Sequence, residues 1–384
     1  MLWMILAACA DVDTTDLRAA PTPATGTTQP STGNPSEPAD TDPNDPTDTD
    51  DDPSDRTDTD DEPPPPKDDC PDGVVCIDSF PWTEHGTTVG AESLWDAYSC
   101  APTTDESGAE ILYRITLDEP GFVALELHDL PVDVDVDVHL LTEADPDTCL
   151  DRGHWVAGSW LEPGHYWVAV DTWVDDSGSA LDGDYSITFG HTTASDLVDM
   201  GIASVVADDA LSIYGTAWDW DDTDRFDFTV LDFSLPSFEK RWWTVDMLRG
   251  ELVFNLHVSH GEGSSDPADA AYVAALSNIP DSHMSSVGLT RTAETYWGSN
   301  GYSLRLDGLE PGFNDNVRSR YIVVHGASYA TEEYIADVGR AGQSWGCPAV
   351  SDDIHEEVVE RIQDGSLMLT WFTDADWHGQ SAYL

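Results

Sequence analysis

Two short stretches near the C-terminus carry residue types that can do nucleophilic chemistry. They are Tyr321-Ile322-Val323-Val324-His325-Gly326 and Gly339-Arg340-Ala341-Gly342-Gln343-Ser344-Trp345-Gly346-Cys347-Pro348. An apolar β-branched run delivers a histidine to a strand end, and a glycine-rich loop then presents a cysteine. A thiol has a pKa of about 8.5 and is only a few per cent thiolate at neutral pH. A nucleophilic Cys347 therefore requires an imidazole or backbone N–H groups beside it, and His325 is the nearest base in sequence. Gly342 and Gly346 allow left-handed dihedrals and close approach of amides to a substrate carbonyl, as an oxyanion hole requires. Pro348 has no N–H, so such a hole draws on amides at Cys347 or before it. The plainer reading makes Cys347 a small buried apolar residue and His325 a structural one. A metal-dependent hydrolase using His260, His283 and His325 would need a His-Glu-X-X-His or Cys-X-X-Cys spacing, and neither occurs.

The elements that must hold these residues read as mainly β. Strands are expected at Phe226 to Phe233, Trp242 to Met247, Leu252 to Val258, Ser303 to Leu306, Arg320 to His325 and Leu367 to Phe372, with short helices at Thr331 to Val338 and Asp352 to Gln363. Upstream, Glu110 to Leu117, Phe122 to Leu127, Val132 to Leu141, His165 to Val170 and Asp184 to Phe189 are separated by Pro- and Gly-containing turns, the spacing of an antiparallel sandwich. Within it, Asp133, Asp135 and Asp137 alternate with valines. Pleating places the three carboxylates on one face, either as a calcium site or as an ordinary solvated face. Residues 191–221 read as a connector with helical character, docked through Trp218 and Trp220.

His325-Gly326 followed by Ser344-Trp345-Gly346-Cys347 resembles the active-site signature of the murein L,D-transpeptidases, a His-Gly pair ahead of a Ser/Thr-X-Gly-Cys loop. The stretches Glu239-Lys240-Arg241, Val258-Ser259-His260-Gly261, Leu276-Ser277-Asn278, Ser285-Ser286-Val287-Gly288, Gly301 to Leu309 and Gly312-Phe313-Asn314-Asp315-Asn316 extend the likeness over roughly 226–383. The resemblance implies a β-sandwich-like catalytic domain with no cofactor. In it Cys347 attacks the third residue of a peptidoglycan tetrapeptide stem, His325 is the base, and the Gly326 carbonyl orients the imidazole. The thioester is resolved by an amine, giving a 3→3 cross-link, or by water, giving a carboxypeptidase. Gly346 and Cys347 are the oxyanion candidates, with Ser344, Trp345 and His260 lining the cleft. The chain departs from many relatives in having Trp345 where they carry His, and in lacking an Arg after the nucleophile. Arg340 is the candidate for substrate carboxylate, with Arg305 and Arg320 behind it. Residues 77–190 resemble a bacterial pre-peptidase C-terminal domain.

The 384 residues suffice for several domains, expected as 1–9 signal remnant, 10–69 linker, 70–190 accessory sandwich, 191–221 connector and 222–384 catalytic domain. A net charge of −60 argues against nucleic acid or anionic lipid as a partner. Much of that charge lies between Asp11 and Asp69, where large apolar residues are almost missing and a disordered stalk is expected. Leu6-Ala7-Ala8-Cys9 resembles a lipobox, which implies an exported protein anchored through acylated Cys9 in the periplasm or at the cell surface, and a monomer is expected. Of six cysteines, Cys70 pairs with Cys76 and Cys100 with Cys149 in this reading, leaving Cys347 free. A non-enzymatic wall-binding lipoprotein is the remaining alternative.

Overall fold

The computed structural model describes residues 70–384; Cys9 and the stretch 10–69 lie outside the described residues. Strands β1 (Val75–Ile77), β2 (Trp82–Thr87), β3 (Glu110–Leu117), β4 (Gly121–His128), β5 (Val136–Leu141), β6 (Cys149–Gly153), β7 (Val156–Leu161), β8 (Gly164–Thr172) and β9 (Asp184–Thr193) form two sheets, ordered β1-β3-β8-β5-β6 and β2-β9-β4-β7. All their pairings are antiparallel except β1 on β3. Alternate residues of facing strands, among them Tyr113, Ile115 and Leu117 of β3 and Val123, Leu125 and Leu127 of β4, fill one core between the sheets. Disulfides join Cys70 to Cys76 and Cys100 to Cys149, as expected.

The alternation at Val132 to Val138 behaves differently from its expected pattern. Residues 132–133 make a turn and the strand starts only at Val136, so Asp133, Asp135 and Asp137 do not share a solvated face. Asp133 is exposed, while Asp137 is 1% accessible. Every residue of β5 is buried because a loop covers its outer face, with Tyr98 stacked on His139 at 3.6 Å.

Helices α1 (Ala194–Asp199) and α2 (Ser204–Asp219) follow. A reciprocal capping box between Thr193 and Asp196 starts α1. The stretch read as a connector is part of a core: Val206, Ala210, Ile213 and Tyr214 of α2 pack in one cluster with Phe122 and Ala124 of β4 and with Phe228, Val230 and Trp243. Trp218 stacks on Phe226 at 5.2 Å and meets Phe122 at 5.2 Å. Gly190 admits no side chain, since a Cβ there would lie 1.9 Å from the Leu248 carbonyl oxygen.

The remaining elements are β10 (Asp227–Asp232), β11 (Trp242–Asp246), β12 (Glu251–Leu256), β13 (His260–Gly261), β14 (Gly288–Gly298), β15 (Gly301–Gly308), β16 (Val323–Ala327), α3 (Glu332–Val338), β17 (Gln343–Ser344), β18 (Ala349–Ser351), α4 (His355–Ile362), β19 (Leu367–Trp371) and α5 (Ala375–His378). Eight of these strands form one mixed sheet, β12-β11-β10-β19-β14-β15-β16-β18. One face packs on α2. The other packs Leu304, Val324 and Val350 under Val358, Val359 and Ile362 of α4. The two-residue strands β13 and β17 pair with each other. Among the described residues no helix is long and apolar enough to cross a membrane.

Candidate active site

β16 and β18 are parallel neighbours at the sheet edge, with His325 opposite Ala349. Cys347 precedes Ala349 by two residues, and the Val323 amide, two residues before His325, donates to its sulfur at 3.3 Å. The register thus sets the imidazole on β16 beside the loop that carries the thiol into β18. His325 Nδ1 lies 2.8 Å from the Gly326 carbonyl oxygen, which accepts its proton and leaves Nε2 as the basic nitrogen. Both side chains are fully buried. The expectation of a free thiol is corrected: the Cys347 sulfur is in disulfide form, so nucleophilic chemistry belongs to the reduced protein.

Serine hydroxyls hold the cysteine loop. Ser344 Oγ donates to the Cys347 carbonyl at 2.7 Å and accepts from the Gly346 amide at 3.1 Å. Ser285 Oγ donates to the Gly346 carbonyl and accepts from the Gly261 amide, while Ser259 Oγ accepts from Ala349. Gly346, at φ +117°, is a position a side chain cannot take: a Cβ would stand 2.7 Å from the Met284 carbonyl. The Gly346 amide, one of the two expected oxyanion donors, is already committed to Ser344.

His260 is brought to the base of this loop by the β13 and β17 pairing, opposite Gln343. Fully buried Arg241 donates to His260 Nδ1 at 2.8 Å and to the Leu235 and Val258 carbonyls, with its guanidinium 4.7 Å from the Phe233 ring centre. His260 Nε2 then carries the proton and donates to Ser265 Oγ at 3.0 Å, which Gln343 also reaches. Burial, reinforced by Arg241 and Arg340, holds the His260 pKa well below the ordinary range, and burial pulls Arg241 down to about 9. His260 is therefore a neutral brace. In the sequence Arg241 stood out only within the Glu239-Lys240-Arg241 stretch of the family resemblance, with no role assigned to it.

Of the three arginines, Arg320 is spent on Ser277, Ser282 and Ser286, and Arg305 pairs with Glu294 at 3.1 Å. Arg340 makes one backbone contact, to Ala341, and stays near enough to His260 to depress its pKa. Trp345 stacks on His283 at 4.4 Å with ring planes 5° apart. Beyond it opens a cleft of about 630 Å³ lined by Glu262, Ser265, Asp266, His283 and Gln343 among others, with Glu262 2.7 Å from His283 Nδ1. Glu262 and Asp266 had no role in the sequence reading.

Comparison with known proteins supplies context for this geometry. No curated protein matches the chain. Among solved structures, the pre-peptidase C-terminal domain of a Bacillus anthracis collagenase is 15% identical over 32% of this chain and 99% of its own, with a TM-score of 0.22. An L,D-transpeptidase from Mycobacterium smegmatis is 11% identical over 38% of this chain and 59% of its own, with a TM-score of 0.24. Another from Mycobacterium tuberculosis H37Rv is 14% identical over 67% of this chain and 92% of its own, with a TM-score of 0.23. Residues 201–371, which contain α2, the eight-stranded sheet and the cysteine loop, match the family model of the L,D-transpeptidase catalytic domain.

Proposed function

We propose that the protein is a cysteine-dependent peptidoglycan L,D-transpeptidase. The observation that carries the reading is the register of β16 and β18, which puts Cys347 beside the strand of a histidine whose Nδ1 is fixed on Gly326. In the reduced enzyme His325 Nε2 takes the thiol proton and the thiolate attacks the stem carbonyl. The bond to the terminal D-alanine breaks as the imidazolium protonates its amine, and a thioester remains. An acceptor amine then attacks the thioester, the C–S bond breaks, and the thiolate recovers a proton. Arg340 is the group proposed to meet substrate carboxylate.

An amine acceptor is favoured over water by the cleft beside the loop, where Glu262 and Asp266 attract an ammonium group. The His283 nitrogen remote from Glu262 is then a proton acceptor for it. The sandwich is proposed as an accessory domain. The lipid anchor at Cys9, outside the described residues, is proposed for the same reduced form of the protein, in which it would hold the enzyme in an exported, wall-facing position; fatty-acid labelling that persists in Cys9→Ala would overturn it.

The test is incubation of the purified, reduced protein with tetrapeptide muropeptides, read by mass spectrometry. Loss of D-alanine with dimer formation is expected, together with its disappearance in Cys347→Ser and a drop of about 10²–10⁴ in His325→Gln. Loss without dimers makes the enzyme a carboxypeptidase. No release of D-alanine refutes both activities.

A further inference from the structure

The acidic residues of the sandwich that the strand pattern could not place are gathered around one point. Asp135, just ahead of β5, Asp137 within it, and His154, in the turn between β6 and β7, offer three donor atoms that all lie within 4.8 Å of one another. His154 Nδ1 is 3.2 Å from Asp135 Oδ1 and 3.2 Å from Asp137 Oδ1. A single Nδ1–H shared between two oxygens serves each of them weakly, whereas a cation among the three atoms would engage all of them. Adjacent ligands of a cation bound at about 2.0–2.2 Å stand close to this far apart.

The surroundings carry excess negative charge. The other oxygen of Asp137 takes Arg152, which also reaches Glu106 at 3.3 Å. Glu106 is fully buried beside Asp137, and burial followed by the Asp137 charge raises its pKa to about 8. Arg152 thus serves Asp137 and Glu106, and the Asp135 carboxylate is paired through His154, which it shares with Asp137; a divalent ion at that point would meet both aspartates directly. Asp135 and His154, part-exposed at 29% and 41%, leave the point open to solvent. The His154 ring stands edge-on to Trp155 at 4.5 Å. The neighbouring group of possible donors, Cys100 and Cys149 beside His139, is a disulfide and offers no thiolate.

We propose that Asp135, Asp137 and His154 bind a divalent transition-metal ion of the Zn²⁺ and Mn²⁺ class, clamping β5 to the turn between β6 and β7. An imidazole with two carboxylates suits these ions, whereas Ca²⁺ prefers six to eight oxygens. The site is separate from the cysteine loop and independent of the proposed reaction.

The test takes the full chain, stripped with chelator and dialysed, through thermal melts and calorimetric titration with Zn²⁺, Mn²⁺ and Ca²⁺. A rise in melting temperature of roughly 5 °C is expected at a hundredfold excess over the dissociation constant, with Zn²⁺ ahead of Mn²⁺ and Ca²⁺ last. Asp135→Asn and His154→Gln, each chosen for its part-exposed position, should fold with the parent's metal-free melting temperature and lose the rise. If one of them folds poorly, the other decides. No response to any ion, a response only to Ca²⁺, or a rise that survives both substitutions overturns the assignment.

Discussion

His260 makes the cysteine loop sensitive to acid in a way that can be worked from its contacts. Arg241 occupies Nδ1, Arg340 lies near, and the side chain is fully buried, so a second proton has no acceptor and two cations against it. The folded-state pKa is depressed, whereas the unfolded chain protonates its histidine at about 6.5. Below that pH the unfolded state binds the extra proton, so stability rises with pH up to about 6.5 and is lost as pH falls beneath it. One proton is worth about 1.4 kcal/mol per pH unit, which gives about 2 kcal/mol between pH 6.5 and 5. His139, pulled to about 3 chiefly by burial, and His191 and His257, also lowered by burial, act in the same direction. The informative quantity is therefore a difference. His260→Gln cannot titrate, so thermal melts of variant and parent at pH 7 and pH 5 should show the parent losing roughly 4–8 °C more than the variant. Equal losses in the two proteins would refute the neutral brace.

Arg241→Met removes the donor to the Leu235 and Val258 carbonyls and to His260, and should cost about 3 kcal/mol or more, read as a lower urea midpoint at unchanged slope. Gly190→Ala drives a methyl into the Leu248 backbone. It should lower the melting temperature markedly, with a loss beyond the ordinary 0.5–3 kcal/mol of a point change as the expected scale. In the reduced protein Cys347, buried in the loop ahead of β18, should be alkylated by iodoacetamide at least about tenfold more slowly than in urea-unfolded chain. Equal rates would show the thiol to be exposed.

The cysteine loop and His325 were legible because their chemistry is local: a short spacing, a strand end, two glycines and a proline. The register that joins them was not read, since Ala349–Ser351 is too short a run to stand out as a strand in the sequence. Tyr321, at φ +57°, delays β16 to Val323, and such a turn leaves no hydrophobic trace. Asp137 was misplaced for a different reason. Alternation reports which residues share a face, and here a loop carrying Tyr98 and Glu106 covers the face that polar residues would ordinarily leave to water. The β13 and β17 pair is too short for periodicity to reveal, so the brace of Arg241 and His260 emerges only from tertiary contacts. Stretches 191–221 looked like a connector because α2 is buried on most sides and carries little amphipathic contrast.

Burial of both catalytic candidates sharpens the question of which nucleophile resolves the thioester. A thioester formed on Cys347 would be enclosed with His325, and bulk water would have no advantage there over a tethered amine. The open space near the loop is the cleft beyond Trp345, whose carboxylates Glu262 and Asp266 favour an ammonium over a neutral molecule. Glu262 also holds His283 Nδ1, which keeps the other ring nitrogen ready to receive the ammonium proton. If acceptor choice resides in that cleft, Glu262→Gln should leave D-alanine release nearly unchanged while the dimer-to-hydrolysis ratio falls by about tenfold, the scale of one lost charged hydrogen bond. If choice resides at the thioester itself, the ratio will hold. A parallel fall in D-alanine release and dimer would instead place Glu262 in the support of the cysteine loop, because His283 packs on Trp345 two residues from the sulfur.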